Sequence, residues 1–144
     1  MSEDLEALEK LRGRIIGCAV RVHSTLGPGL LESSYKRCLG IELRKEGLTF
    51  CHERKLDLVY AGEVLRNAYR IDLVVEDTVV VETKTVELVL PVHAAQVVTY
   101  LKLTGCPTGL IFNFYVHRLK EYGIRKVMRP DLYAAEKART RSPF

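Results

Sequence analysis

"IDLVVEDTVVVETKT" occupies residues 71–85 and sets Asp72, Glu82 and Lys84 among isoleucine, leucine, valine and threonine. Charges inside such a run need a reason, because burying one without a partner is costly. Strand side chains alternate between two faces, so register decides whether the three can meet. If 71–75 and 79–85 pair as a hairpin centred on Asp77, Asp72 faces Glu82 and Arg70 faces Lys84. Directly opposed residues share a face, with Cβ atoms about 4.5–5.5 Å apart. Ile71, Leu73, Val75, Val79, Val81 and Thr83 then make up a second, apolar face. A two-residue loop at Glu76-Asp77 would instead oppose Asp72 to Val81 and send Glu82 to the far side. The pattern favours the first register, which gathers the polar groups and requires a loop of odd length, as in three-residue hairpins.

Two adjacent carboxylates on rigid strands repel each other unless a cation lies between them, and oxygen donors suit Mg²⁺ or Mn²⁺. Lys84, on the same face, adds a compact positive charge able to steady a phosphate. Metal-assisted hydrolysis of a phosphodiester uses such a set. The same three residues also suit a solvated face carrying an Asp/Glu/Lys network.

Outward from this stretch, apolar residues at 5, 8, 11, 15, 19, 22 and 26 recur at steps of three and four, predicting a helix over about 3–26. "GPG" at 27–29 stops it, and a second helix over about 30–46 begins in "GLLESSY" at 29–35. Glu32 lies in its first turn, where an acid complements the helix dipole or reaches toward the sheet. Tyr35 falls on the apolar stripe. Strands are expected near 49–60, 63–75 and 78–85, with "AGE" at 61–63 as a hairpin turn. Pro91 opens a third helix to about 103. In it Ala94, Val97, Val98 and Leu101 form the apolar stripe, and His93, Gln96 and Tyr100 a polar one beside it. Strands follow at 108–116 and within "YGIRKVMR", and from Pro130 a helical or disordered tail. The order α-α-β-β-β-α-β-β predicts an α/β class, α+β-like in its order, with a mixed central sheet flanked by helices.

The chain has 144 residues, 47% hydrophobic and 28% charged, which suits one soluble globular domain over 1–144. Its core is expected over about 10–128, with a basic C-terminal tail over about 129–144. No apolar run approaches the roughly 18 residues that a membrane span needs, and the acidic N-terminus lacks a signal-peptide core. The expectation is a cytoplasmic protein with no membrane partner, compatible with a homo-oligomer. Cys18, Cys38, Cys51 and Cys106 show no CxxC spacing, which speaks for reduced, mostly buried thiols rather than a zinc site. Net charge is +4, and 118–141 alone carries eight Lys/Arg against three acids. That end is suited to a polyanion, though many solvated tails look the same.

Taken together, "GLLESSY", "RIDLVV", "VETK" and "HAAQVVTYL" resemble, in that order, the PD-(D/E)XK nuclease superfamily, and more closely its small GxxExxY proteins. The resemblance covers about residues 10–115 and implies the core order α-β-β-β-α-β. It implies that Asp72 and Glu82 bind Mg²⁺ or Mn²⁺ with the main-chain carbonyl of Thr83, that Glu32 assists the metal, and that Lys84 positions water or phosphate. Gln96 and Tyr100 correspond to the substrate-holding helix of the RecB-like branch, with His93 beside them. One departure is Ile71-Asp72 where the motif has Pro-Asp. The implied function is a Mg²⁺-dependent nuclease, hydrolysing phosphodiester bonds of DNA or RNA. The alternative is a catalytically silent module of the same fold that binds nucleic acid or protein.

Overall fold

The computed structural model describes residues 3–132. Helix α1 (Glu3–Leu26) ends where Gly27 and Gly29 adopt φ of 68° and 106°, conformations that residues with a Cβ resist. Helix α2 (Glu32–Lys45) follows, then strands β1 (Phe50–Tyr60), β2 (Glu63–Val75) and β3 (Val79–Lys84). Helix α3 (Pro91–Thr104) leads to β4 (Thr108–Asn113), the short helix α4 (Leu119–Tyr122) and β5 (Ile124–Met128). The expected order holds, with two differences. The strand expected over 108–116 stops at Asn113, where the chain turns, and α4 was not expected, since four residues are too few for periodicity to register. The tail expected from Pro130 lies, beyond Leu132, outside the described residues.

The five strands form one mixed sheet in the order β1-β2-β3-β4-β5. β3 and β4 run parallel across the α3 crossover, and the other neighbours are antiparallel. Helices cover both faces of this central pair, so its residues are buried from Val79 to Thr83 and from Thr108 to Asn113. This explains the unbroken apolar runs there. One core joins α1 and α2 to Leu73, Val75, Val79, Val81, Leu110 and Phe112. A second joins Val97, Tyr100 and Leu101 of α3 to Ile71, Val74, Val80 and Ile111.

The β2–β3 hairpin adopts the first register: Leu73 opposes Val81, Val74 opposes Val80 and Val75 opposes Val79. The loop at 76–78 has three residues, with Glu76 and Asp77 at φ of 53° and 50° and the Thr78 N–H donating to the Val75 carbonyl at 2.9 Å. The expected division into a charged face and an aliphatic face does not hold. Val74 and Val80 lie in the core beneath α3, and Ile71 joins them instead of sharing a core with Leu73. Both faces near the turn are therefore apolar, and charge is confined to the open end. Next door in β1 the register is unchanged across this point, from His52↔Leu73 to Arg54↔Ile71, with Glu53 at φ 59° and not paired to Asp72.

Beyond that point the β1–β2 ribbon leaves the two helical layers, and nearly every residue from 57 to 68 is exposed. At its tip Tyr60 lies opposite Glu63 and is 73% exposed. Cys18 and Cys106 are buried, Cys38 is half-buried, Cys51 is exposed, and all four are free thiols. No helix among the described residues is long and apolar enough to cross a membrane.

Gly109 fixes how closely α3 approaches the sheet. A Cβ there would lie 2.5 Å from Val97 Cγ1 and 3.2 Å from the Val80 carbonyl oxygen. Gly109→Ala is expected to lower the unfolding free energy by about 1–3 kcal/mol in urea titrations. Gly13→Ala, on the exposed face of α1 with nothing within 4 Å of its Cβ, is expected to raise it by about 0.5–1 kcal/mol.

Candidate active site

The β2–β3 ladder stops at Leu73 and Val81, and the next residues outward are Asp72 and Glu82. There side chains replace the missing rungs. The Thr83 N–H and hydroxyl donate to Asp72 Oδ2 at 2.9 and 3.0 Å, and the Asp72 N–H donates to Glu82 Oε1 at 3.1 Å. The two carboxyl groups are thus held together by backbone on both strands. In a strand the N–H and C=O of one residue point to the same edge, so the Thr83 carbonyl is directed toward Asp72 as well.

Glu82 is only 5% exposed. Burial, and then the charge of Asp72, push its carboxyl up to about 8. The Asp72 N–H and Lys84 oppose the shift, and a carboxyl–carboxyl hydrogen bond with Asp72 adds to it. At neutral pH the pair therefore shares a proton, as closely set carboxylates do. Lys84, half-buried, makes no ion pair among the described residues and is left free for another anion. Glu32 enters from the first turn of α2. Burial raises its pKa, and its electrostatic neighbours are Lys84, Asp72, Lys36 and His93.

Three further residues reach the site that sequence reasoning missed. Lys36 Nζ lies 3.7 Å from Asp72 Oδ1 and also pairs with Glu53, whose other oxygen is 3.0 Å from Arg70 Nη1. Lys36 lies one residue after "GLLESSY", but Glu53 and Arg70 come from the β1–β2 ribbon, and nothing local in the sequence joins them. Tyr35 is fully buried and stacks on Phe114 at 4.3 Å between centroids. Its hydroxyl donates to the Gly27 carbonyl and accepts from the Leu30 N–H at 3.1 Å, which fixes the loop leading into Glu32. On the other side, the Asn113 amide clasps Val86 through bonds of 3.1 and 2.8 Å and so holds the chain leaving Lys84.

The polar stripe expected on α3 divides into three environments. His93 Nδ1 accepts from the Leu90 N–H at 2.9 Å while the His93 N–H donates to the Leu90 carbonyl at 3.0 Å, so this ring caps the helix. Gln96 is exposed. Tyr100 is buried at 3% exposure, edge-on to Tyr69, and its hydroxyl donates to the Arg70 carbonyl at 3.4 Å. Burial, then Glu82 and Asp72, push its hydroxyl up to about 12, so it stays protonated behind the acids.

Among the described residues no three His, Cys, Asp or Glu side chains converge closely enough to cage a cation. The donor set still fits Mg²⁺ or Mn²⁺. Such an ion keeps several waters and takes one or two carboxylates, and here two carboxyl oxygens and a carbonyl are oriented together around a shared proton that it would displace.

Because its pKa is raised on folding, Glu82 adds no penalty below about 4.5, and the folded state loses stability as pH climbs toward about 8. In chelator, wild type should lose on the order of 4 kcal/mol relative to Glu82→Gln between pH 4.5 and pH 8. Denaturant titrations at the two pH values check this, and an equal pH dependence in both proteins refutes it.

The model of one protein family, the PD-(D/E)XK nuclease superfamily, matches residues 9–127. Searches of curated proteins and of solved structures find no match. The match spans most of the chain and includes both strands that carry the acids, α2 and α3. This chain belongs to the PD-(D/E)XK nuclease superfamily.

Proposed function

We propose that the chain is a Mg²⁺- or Mn²⁺-dependent phosphodiesterase acting on DNA or RNA, of the GxxExxY kind within the RecB-like branch. The observation that carries this reading is the Asp72–Glu82 pair at the end of the ladder, with the free ammonium of Lys84 beside it. When bound, the ion would supply Lewis acidity toward phosphate and lower the pKa of water. Asp72, Glu82 and the Thr83 carbonyl would hold it. To hold it Glu82 would give up its proton, so that both carboxylates would be donors. Lys84 faces the charge that grows on the phosphate oxygens, where a fixed cation stabilises the transition state more than the ground state. Glu32 adds negative charge near Lys84 and would assist in holding the ion. Exposed Gln96 and half-buried His93 on α3 meet the substrate backbone, while Tyr100 keeps Glu82 in position from within the core.

A catalytically silent module that binds nucleic acid or protein is the second reading. It is favoured by a Glu82 that is neutral at physiological pH.

Incubating purified protein with labelled single- and double-stranded DNA and RNA, with and without Mg²⁺ or Mn²⁺, separates the two. Metal-dependent cleavage is expected, falling about 100-fold or more in Glu82→Ala and in Lys84→Ala. Equal cleavage by the variants, or none by wild type, removes the nuclease reading. Salt-sensitive binding without cleavage supports the silent module.

A further inference from the structure

A second feature lies against the acidic site. Between α2 and β1 opens a cleft of about 270 Å³ lined by Lys36, Arg37, Gly40, Ile41, Arg44, Phe50, His52 and Leu73. It adjoins the acids directly. Lys36 forms part of its wall and touches Asp72, and Leu73 is the last ladder residue before Asp72. The lining has three permanent cations and a histidine and no acidic side chain.

Lys36 is engaged with Glu53 and Asp72, but the guanidinium groups of Arg37 and Arg44 have no hydrogen bond or ion pair among the described residues. They stand seven residues apart on α2, two turns, so with Ile41 between them both guanidinium groups overhang the same cleft. Two unpaired guanidinium groups over a concave surface fit a phosphate, which they can grip through paired N–H donors. One wall is aromatic. Phe50 packs so closely on Gly40 that a Cβ there would lie 3.2 Å from its ring, and His52 stands 6.4 Å from Phe50 between centroids. Aromatic faces beside cations favour a nucleobase, which stacks whatever its identity. The volume is at the small end for ligand clefts and suits one nucleotide unit rather than a length of strand.

We propose that this cleft is the subsite for a nucleotide adjoining the cleaved bond, with Arg37 and Arg44 on its phosphate and Phe50 and His52 against its base. The partner class rests on the nuclease reading, while the cleft itself does not. Through Lys36, occupation of the cleft touches Asp72, so the subsite fixes the side from which the strand enters the acidic site.

The test uses the full chain and two measurements. The first is titration with a nucleoside 5′-monophosphate, and separately with inorganic phosphate, followed by the backbone amide resonances of Gly40, Ile41 and Phe50. The nucleotide should shift them at concentrations at least tenfold below inorganic phosphate, and Arg37→Ala/Arg44→Ala should abolish the shifts. The second measurement is steady-state cleavage of a short oligonucleotide. The double variant should raise KM about tenfold for each lost charged contact with kcat within about twofold, and Arg37→Lys/Arg44→Lys should recover part of the loss. Both variants alter exposed side chains, so their circular dichroism should match wild type. Unchanged KM in a cleaving double variant, or nucleotide and phosphate binding equally, overturns the subsite and leaves the nuclease reading intact. A wild type that cuts nothing yet binds the nucleotide at these amides removes the nuclease reading and overturns the subsite as one beside a cleaved bond, leaving a nucleotide-binding cleft.

Discussion

The contact that the rest of the molecule depends on is the meeting of Asp72 with Glu82 where β2 and β3 part. Two ionised carboxylates so close, one of them almost fully buried, would repel strongly in a medium less polarisable than water. The fold resolves this in two ways. Glu82 keeps a proton, and the remaining charge on Asp72 is spread over the Thr83 N–H and hydroxyl on one side and Lys36 on the other. The result is an arrangement stable without an ion, yet one that a divalent cation would relieve further. That stability depends on the buried valines of the hairpin, which hold the two strands in one register and leave the acids little room to move apart.

Support for the pair arrives from both helical layers. On one side, stacking of Tyr35 on Phe114 fixes α2 over the sheet, and α2 delivers both Glu32 and Lys36. On the other, the close approach permitted by Gly109 brings α3 against the sheet, and its buried Tyr100 lies close enough for the charges of Glu82 and Asp72 to raise its pKa.

Much of this could be read from residues alone, for identifiable reasons. Parity is absolute in a paired strand, so the register of Asp72 against Glu82 followed from the apolar pattern and from an odd loop. The faces did not follow, because residues of α3 pack on Ile71, Val74 and Val80, and no local pattern reports what covers a strand. The elements were legible wherever they exceeded two turns or four strand residues. Gln96 and Tyr100 share a helical edge by spacing. Only the depth at which α3 sits, set by Gly109 of the following strand β4, makes one exposed and the other buried. The Lys36–Glu53–Arg70 chain unites three separate segments and was beyond reach of any reading of local pattern.

The projecting β1–β2 ribbon has a consequence for how proteins of this architecture diversify. Val59, Tyr60, Val64 and Leu65 at its tip contribute to neither core, and the turn at Ala61 and Gly62 closes on itself. Lengthening, shortening or recolouring that tip would therefore leave folding almost untouched, while its base ends at Glu53 and Asp72. Drift in this segment is thermodynamically inexpensive and mechanically connected to the acids, so it offers a route by which a small scaffold acquires new preferences without first acquiring new stability.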